Sequence, residues 1–196
     1  MKRHPAFVVL LALFFAAAPA ALAHPGHEGH ELTWDFTTGF THPLFGWDHL
    51  VAMLAVGLWA AQLGGRARWF VPAAFVTVMA IGAALAQNRL MIPAVEQAIA
   101  ASVLVLGLLI ANATKVSVGV GMALVGLFAM FHGFAHGAEM PATARGFSYG
   151  AGFIFATALI HAVGVSVGLL AAPRAKQVTL AAGWAITACG IALFAV

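Results

Sequence analysis

Six apolar segments of about 20 residues follow one another along this chain, and they constrain its fold more than any other feature. A helix needs about 20 apolar residues to cross about 30 Å of hydrocarbon, and backbone polar groups in lipid must be hydrogen-bonded within the protein. The sequence therefore predicts an all-α polytopic membrane protein whose residues 44–196 form a bundle of six transmembrane helices. The segments cover roughly residues 44–63, 69–87, 93–112, 117–137, 147–171 and 177–196.

The composition excludes the soluble classes of protein. Apolar residues make up 63% of the chain and charged residues only 8%, with a mean hydropathy of +0.99, far from the values of a soluble domain. The basic residues are spread through short loops instead of forming a patch, so nucleic-acid binding is not expected. The single cysteine, Cys189, permits neither an intrachain disulfide nor a thiolate cluster.

The first 23 residues have the three parts of a secretory signal peptide. A positive start precedes an apolar stretch over residues 6–17, and Ala21-Leu22-Ala23 is a small-residue cleavage site. The apolar stretch is short for a retained span, so we expect cleavage after residue 23. Residues 24–43 would then be an exported segment. Its histidines would be accessory metal ligands or would only be solvated: His24, His27 and His30.

The distribution of basic residues between the loops predicts the orientation. With the amino terminus outside, five lysines and arginines fall on cytoplasmic turns and two fall on exported ones. This ratio follows the positive-inside rule. We therefore expect a multi-pass protein of the bacterial inner (cytoplasmic) membrane, with both termini in the periplasm.

The stretch "HPLFGWDHLVAM", residues 42–53, places ionisable groups at the start of the first apolar segment. An aspartate at membrane depth costs at least ~2.5 kcal/mol on insertion scales, so it marks a functional site by default. His42 and His49 are seven residues apart, and we expect them to share one helix face, with Asp48 adjacent. Pro43 is well placed to start that helix. Alternatively, His42 and Asp48 only serve the helix start, where the macrodipole favours a carboxylate.

The fourth segment ends in "FHGFAHGAE", in which His132, His136 and Glu139 are spaced by four and then three residues. This spacing puts all three on one side of a helix, and two imidazoles four apart can chelate one ion. Alternatively, the histidines form hydrogen bonds to neighbouring helices. His161, in "GFIFATALIHAVG" of the fifth segment, is by itself more typical of a hydrogen-bonded interior histidine.

The directions of the segments bring the two motifs to one membrane face. The first segment runs inward and the fourth runs outward, so both place their ligands at the periplasmic end. His161 would lie roughly 20 Å along its helix from that face, and the donors would form a ladder that leads inward. Imidazole and carboxylate donors with almost no sulfur suit Ni²⁺, Co²⁺ or Zn²⁺ better than Cu(I).

The chain resembles the HupE/UreJ family of nickel and cobalt permeases over essentially the whole mature sequence. The resemblance rests on "HPLFGWDHLVAMLAVGLWA", "FHGFAHGAE" and "GFIFATALIHAVG" in this order, together with the signal peptide and six segments. It implies that Ni²⁺ or Co²⁺ is a transported substrate, with a link to hydrogenase or urease maturation. The residues that it implies as metal contacts are His42, Asp48, His49, His132, His136, Glu139 and His161.

Transport would proceed as histidines and carboxylates replace the water ligands of the ion one after another. The sequence contains no G-x-x-x-x-G-K-[ST] loop, so we do not expect this chain to use ATP, and we do not expect it to be an enzyme. Three other functions would use the same residues. They are an intramembrane zinc-dependent hydrolase, a haem-binding electron carrier, and a metal-binding accessory or sensor protein that does not transport.

Overall fold

The structure is a computed structural model that describes residues 34–88, 92–140, 143–171 and 175–195. The predicted signal peptide and the three histidines of the exported segment, His24, His27 and His30, lie outside the described residues. The interpretation of both therefore stays a prediction.

The described ranges contain seven helices and no strand, which confirms the all-α fold class. The boundary predicted at residues 43 and 44 falls inside the first helix. In chain order the helices are α1 (Phe36–Phe45), α2 (Trp47–Leu63), α3 (Ala67–Ala86), α4 (Val95–Ala111), α5 (Val118–Glu139), α6 (Ala144–Ala171) and α7 (Ala175–Leu193).

Three of the described helices, α3, α5 and α6, are long and apolar enough to cross a membrane. The bent pair of α1 and α2 provides a fourth span if its two helices count as one, and α4 and α7 are shorter apolar helices. The protein is therefore a helical membrane protein. The count of six spans stays a prediction.

Helices α3 and α5 run parallel and touch through their backbones. Gly133 packs on the backbone of Met79, and one turn later Gly137 packs on that of Ala83. A methyl group at either glycine would overlap the α3 backbone. Small residues allow this close approach, which stabilises helix pairs in a membrane by van der Waals contact.

Helices α2 and α6 are parallel as well, whereas α4 and α7 are antiparallel. Gly57 packs on the backbone of His161, and one turn later Ala61 packs on Gly168. These pairings fit helices that alternate in direction along the chain. The start of α2 and the end of α5 consequently lie at the same end of the bundle.

The chain breaks at Gly46, where α1 ends and α2 begins with an angle of 82° between them. Gly46 is extended (φ −81°, ψ 105°), donates its N–H to the His42 carbonyl and accepts from the Leu50 N–H. The prediction that His42 and His49 share a helix face is therefore wrong. Pro43 does not start the helix either, because it lies inside α1.

The opposite end of α2 is tied to the connection between α4 and α5. Trp59 is fully buried and donates its indole N–H to the Thr114 carbonyl at 3.2 Å. Gln62 donates to the Ile110 carbonyl at 3.1 Å, and Lys115 donates to the Gln62 carbonyl. A lysine at the last carbonyls of a helix also complements the helix dipole.

Candidate metal centre

Four histidines from α1, α2 and α5 gather where α2 starts and α5 ends. The ring centroid of His136 lies 4.4 Å from that of His49 and 4.8 Å from that of His42. The His49 and His132 centroids are 5.1 Å apart. His49, His132 and His136 are at most 5% exposed, whereas His42 is half-buried. The two sequence motifs are thus brought together at one end of the bundle.

The bend at Gly46 places His42 in this group. Helix α1 turns away from α2 and packs along α6, where Gly39 touches the Tyr149 carbonyl. The His42 ring then comes within 6.2 Å of the His49 ring across the break, measured between centroids. Tertiary packing, and not helical periodicity, therefore brings these two histidines together.

Asp48 fixes the protonation pattern of His49. Its Oδ1 lies 2.7 Å from His49 Nδ1, and a carboxylate oxygen only accepts, so His49 donates an N–H from Nδ1. In a neutral ring this leaves the lone pair on Nε2. A carboxylate behind an imidazole in this way orients many metal-binding histidines and raises their basicity.

The Nε2 atoms of His49 and His136 face each other at 2.5 Å. This distance is shorter than an ordinary N–H hydrogen bond. Two bonds of about 2.1 Å to one ion near a right angle would hold the nitrogens about 3 Å apart. Because His49 Nε2 carries the lone pair, the proton of this contact belongs to His136 Nε2 when both rings are neutral. A small separation of the two rings, with that proton released or moved to His136 Nδ1, would convert the contact into a pair of ligands.

Two further carboxylates are close enough to act electrostatically on the histidine group. Glu139 ends α5 and Glu96 lies in the first turn of α4, and both are exposed and within electrostatic range of His49. Glu139 belongs to the predicted set, but Glu96 was missed by sequence reasoning. A carboxylate in the first turn of an apolar helix is usually explained by the helix dipole, so its sequence position gave no separate signal.

His161 is buried on α6, and the ring of Phe75 lies next to both His161 and His132. The Phe75 centroid is 5.5 Å from that of His132 and 5.1 Å from that of His161. Phe75 is fully buried, and His161 is 1% exposed with no hydrogen-bond partner for either ring nitrogen among the described residues. Phe75 was also missed, because one phenylalanine in an apolar segment is not distinctive.

The histidine and carboxylate side chains lie one after another in a row and do not surround a single metal position. Within the described part of the protein, no group of three or more His, Cys, Asp and Glu side chains is placed to hold one metal ion. Apolar rings line this row of donors, since the Phe153 ring lies tilted at 4.3 Å from that of His136 and 5.9 Å from that of His42, measured between centroids. The arrangement can offer donors in succession in an environment that excludes water.

The HupE/UreJ protein family model matches residues 11–193. The chain belongs to this family. Among curated proteins it is similar to Protein HupE of Rhizobium leguminosarum bv. viciae, with 44% identity over 178 residues, 89% of this chain and 93% of that relative. No solved structure matches the chain.

The HupE/UreJ match covers all seven helices and every histidine of the candidate metal centre. The resemblance that the three motifs indicated is therefore confirmed. The match itself assigns no individual donor a role as a metal ligand.

Proposed function

We propose that this HupE/UreJ protein is an inner-membrane permease that takes up Ni²⁺ or Co²⁺ from the periplasm without using ATP itself. The observation that carries the proposal is the meeting of imidazoles from three helices at one end of an apolar bundle. A group of buried ionisable side chains in a membrane protein is costly unless it serves a pathway or a site. The donor chemistry also suits Zn²⁺, which we regard as a competing substrate.

Capture begins at the half-buried and exposed donors, His42, Asp48 and Glu139. The two carboxylates offset the cost of holding a divalent ion at low dielectric. His49 and His136 then replace further water ligands, because their facing nitrogens are within reach of one ion. Stepwise replacement of water requires a chain of donors, which is the arrangement described above.

Onward movement leads past Phe75 to His161. His161 has both ring nitrogens buried without partners among the described residues, so a metal ion would satisfy a polar group that is otherwise left desolvated. Inward movement of two charges gains ~4.6 kcal/mol per 100 mV of membrane potential, from ~2.3 per charge. This energy could drive accumulation without a nucleotide.

The permease would supply nickel or cobalt to enzyme maturation in the cell. The family model joins HupE and UreJ proteins, and the resemblance links them to hydrogenase and urease. With both termini in the periplasm, the histidines of the exported segment would lie on the side from which the ion arrives. Besides the ion, the surrounding lipid is the expected partner.

The test is uptake of radioactive Ni²⁺ by proteoliposomes with an imposed membrane potential, negative inside. We expect uptake by the wild type and at least a tenfold loss in Asp48→Asn. Asp35→Asn is the matched control: Asp35 caps α1 outside the histidine group, and asparagine caps a helix as well as aspartate does. Equal uptake by Asp48→Asn and the wild type would contradict the proposed site. Metal binding without uptake would indicate an accessory protein instead of a permease.

A further inference from the structure

A buried serine of α4 contacts the innermost histidine of the cluster. Ser102 and His132 are both 0% exposed, and Ser102 Oγ lies 3.0 Å from His132 Nε2. The same Oγ lies 2.6 Å from the carbonyl oxygen of Ile99, one turn earlier in its own helix. Ser102 lies outside the three sequence motifs and was not predicted as a site residue.

The position of the hydroxyl proton follows from these two contacts. A carbonyl oxygen only accepts, so at 2.6 Å the single proton of Ser102 is donated to Ile99. Toward His132, Ser102 Oγ can then only accept, and the proton between them belongs to His132 Nε2. A neutral His132 ring consequently carries its lone pair on Nδ1.

His132 Nδ1 is buried and has no hydrogen-bond partner among the described residues. The His132 ring stands nearly perpendicular to that of His49, at 87°, with the centroids 5.1 Å apart. His49 is set in the opposite way, since Asp48 takes its Nδ1–H and leaves Nε2 as the donor atom. Neighbouring histidines are thus held in opposite tautomers by different partners.

We propose that Ser102 is a positioning residue that holds His132 as the Nε2–H tautomer, so that Nδ1 is presented to the metal ion. The second part rests on the proposed function, because it requires His132 to bind the transported ion. An outer partner that fixes the tautomer of a ligating histidine typically contributes 10–100-fold to metal affinity or activity. Ser102 would be such a partner supplied by a fourth helix, α4.

The first experiment measures the tautomer in the metal-free protein. NMR of the full-length protein in detergent micelles, with ¹⁵N-labelled histidine, identifies the His132 signals by their loss in His132→Gln. We expect a hydrogen-bonded Nε2–H and an unprotonated Nδ1 in the wild type. In Ser102→Ala we expect the hydrogen-bonded Nε2–H signal to be lost. A wild-type ring protonated on Nδ1 would overturn the assignment, even if Ser102→Ala failed to fold.

The second experiment titrates the same proteins with NiCl₂. We expect Ser102→Ala to weaken Ni²⁺ binding by about 10–100-fold and Ser102→Thr, which keeps the hydroxyl, to restore most of it. Thr187→Val is the matched control, since Thr187 is a buried hydroxyl on α7 that donates to its own helix, at Gly183. Unchanged affinity in Ser102→Ala, or equal loss in Thr187→Val, would overturn the role of Ser102.

The two proposals can fail separately. A wild type that shows the expected tautomer but takes up no Ni²⁺ overturns the permease and leaves the tautomer assignment standing. A wild type that takes up Ni²⁺ with His132 protonated on Nδ1 overturns the assignment of Ser102 and leaves the permease standing.

Discussion

His49 and His136 meet through their Nε2 atoms although they are 87 residues apart in the chain. One lies in the first turn of α2 and the other in the last turn of α5. Because both nitrogens would bind the same ion, we expect His49→Gln and His136→Gln each to weaken Ni²⁺ binding by about tenfold or more. We expect the double variant to lose little more than the worse single variant, since ligands of one ion are coupled. Titration of the wild type, the two single variants and the double variant with Ni²⁺ forms a double-mutant cycle. Additive losses of binding free energy would show that the two histidines act separately.

Substitution of Gly46 tests how much Ni²⁺ uptake depends on the geometry of the break between α1 and α2. A methyl group there would lie 3.3 Å from Asp48 Oδ1 and 3.4 Å from His49 Nδ1, so Gly46→Ala would displace this pair by a few tenths of an ångström. We expect a severalfold increase in the Ni²⁺ concentration that half-saturates uptake. The matched control is Gly119→Ala, because a methyl at Gly119 meets nothing within 4 Å. The same half-saturation in both variants would show that the pair tolerates the displacement.

Substitution of His161 distinguishes a role in transport from a role in folding stability. Its ring nitrogens are buried without partners among the described residues, so replacing the ring by an apolar side chain removes a desolvated polar group. We expect His161→Leu to unfold at a temperature equal to or higher than that of the wild type. Its Ni²⁺ uptake should nevertheless be at least tenfold lower. Its Ni²⁺ affinity at the outer histidines should stay within about twofold, as the sites are distinct. A clear loss of thermal stability together with normal uptake would mean that His161 is a structural residue.

Gly133 tests the contact between α3 and α5. A methyl at this position overlaps the Met79 backbone, and only a separation of the helices could relieve the overlap. We expect Gly133→Ala to destabilise the protein by about 1–3 kcal/mol, the usual cost of overpacking. The thermal unfolding midpoint in detergent measures this, with Gly119→Ala again as the control. An unchanged midpoint would show that the contact is looser than the structure indicates.

Helical spacing and helix direction were sufficient to predict much of the candidate metal centre. His132 and His136 lie one turn apart on α5, as their spacing of four requires. Opposite directions for α2 and α5 placed their motifs at the same end, and the structure brings His49 and His136 into contact there. These predictions depend only on the regular geometry of long apolar helices, which sequence periodicity reports well.

The parts that the sequence did not predict depend on contacts between distant segments. One glycine inside an apolar stretch does not predict an 82° bend, so His42 was placed on the same helix as His49, although it lies on α1. Ser102 and Glu96 are ordinary residues of an apolar helix until the packing of α4 places them near His132 and His49. Phe75 comes close to two histidines only through the packing of α3.

The buried ring of Phe75 has a consequence for the energy supply of the cell. A continuous file of water through the bundle would let protons move along it and would dissipate a proton gradient across the membrane. If the proposed ion path leads from His132 to His161, the apolar ring of Phe75, which lies next to both, would interrupt such a file of water. In the proposed permease, a metal ion would pass from one nitrogen to the next while the bilayer stays impermeable to protons.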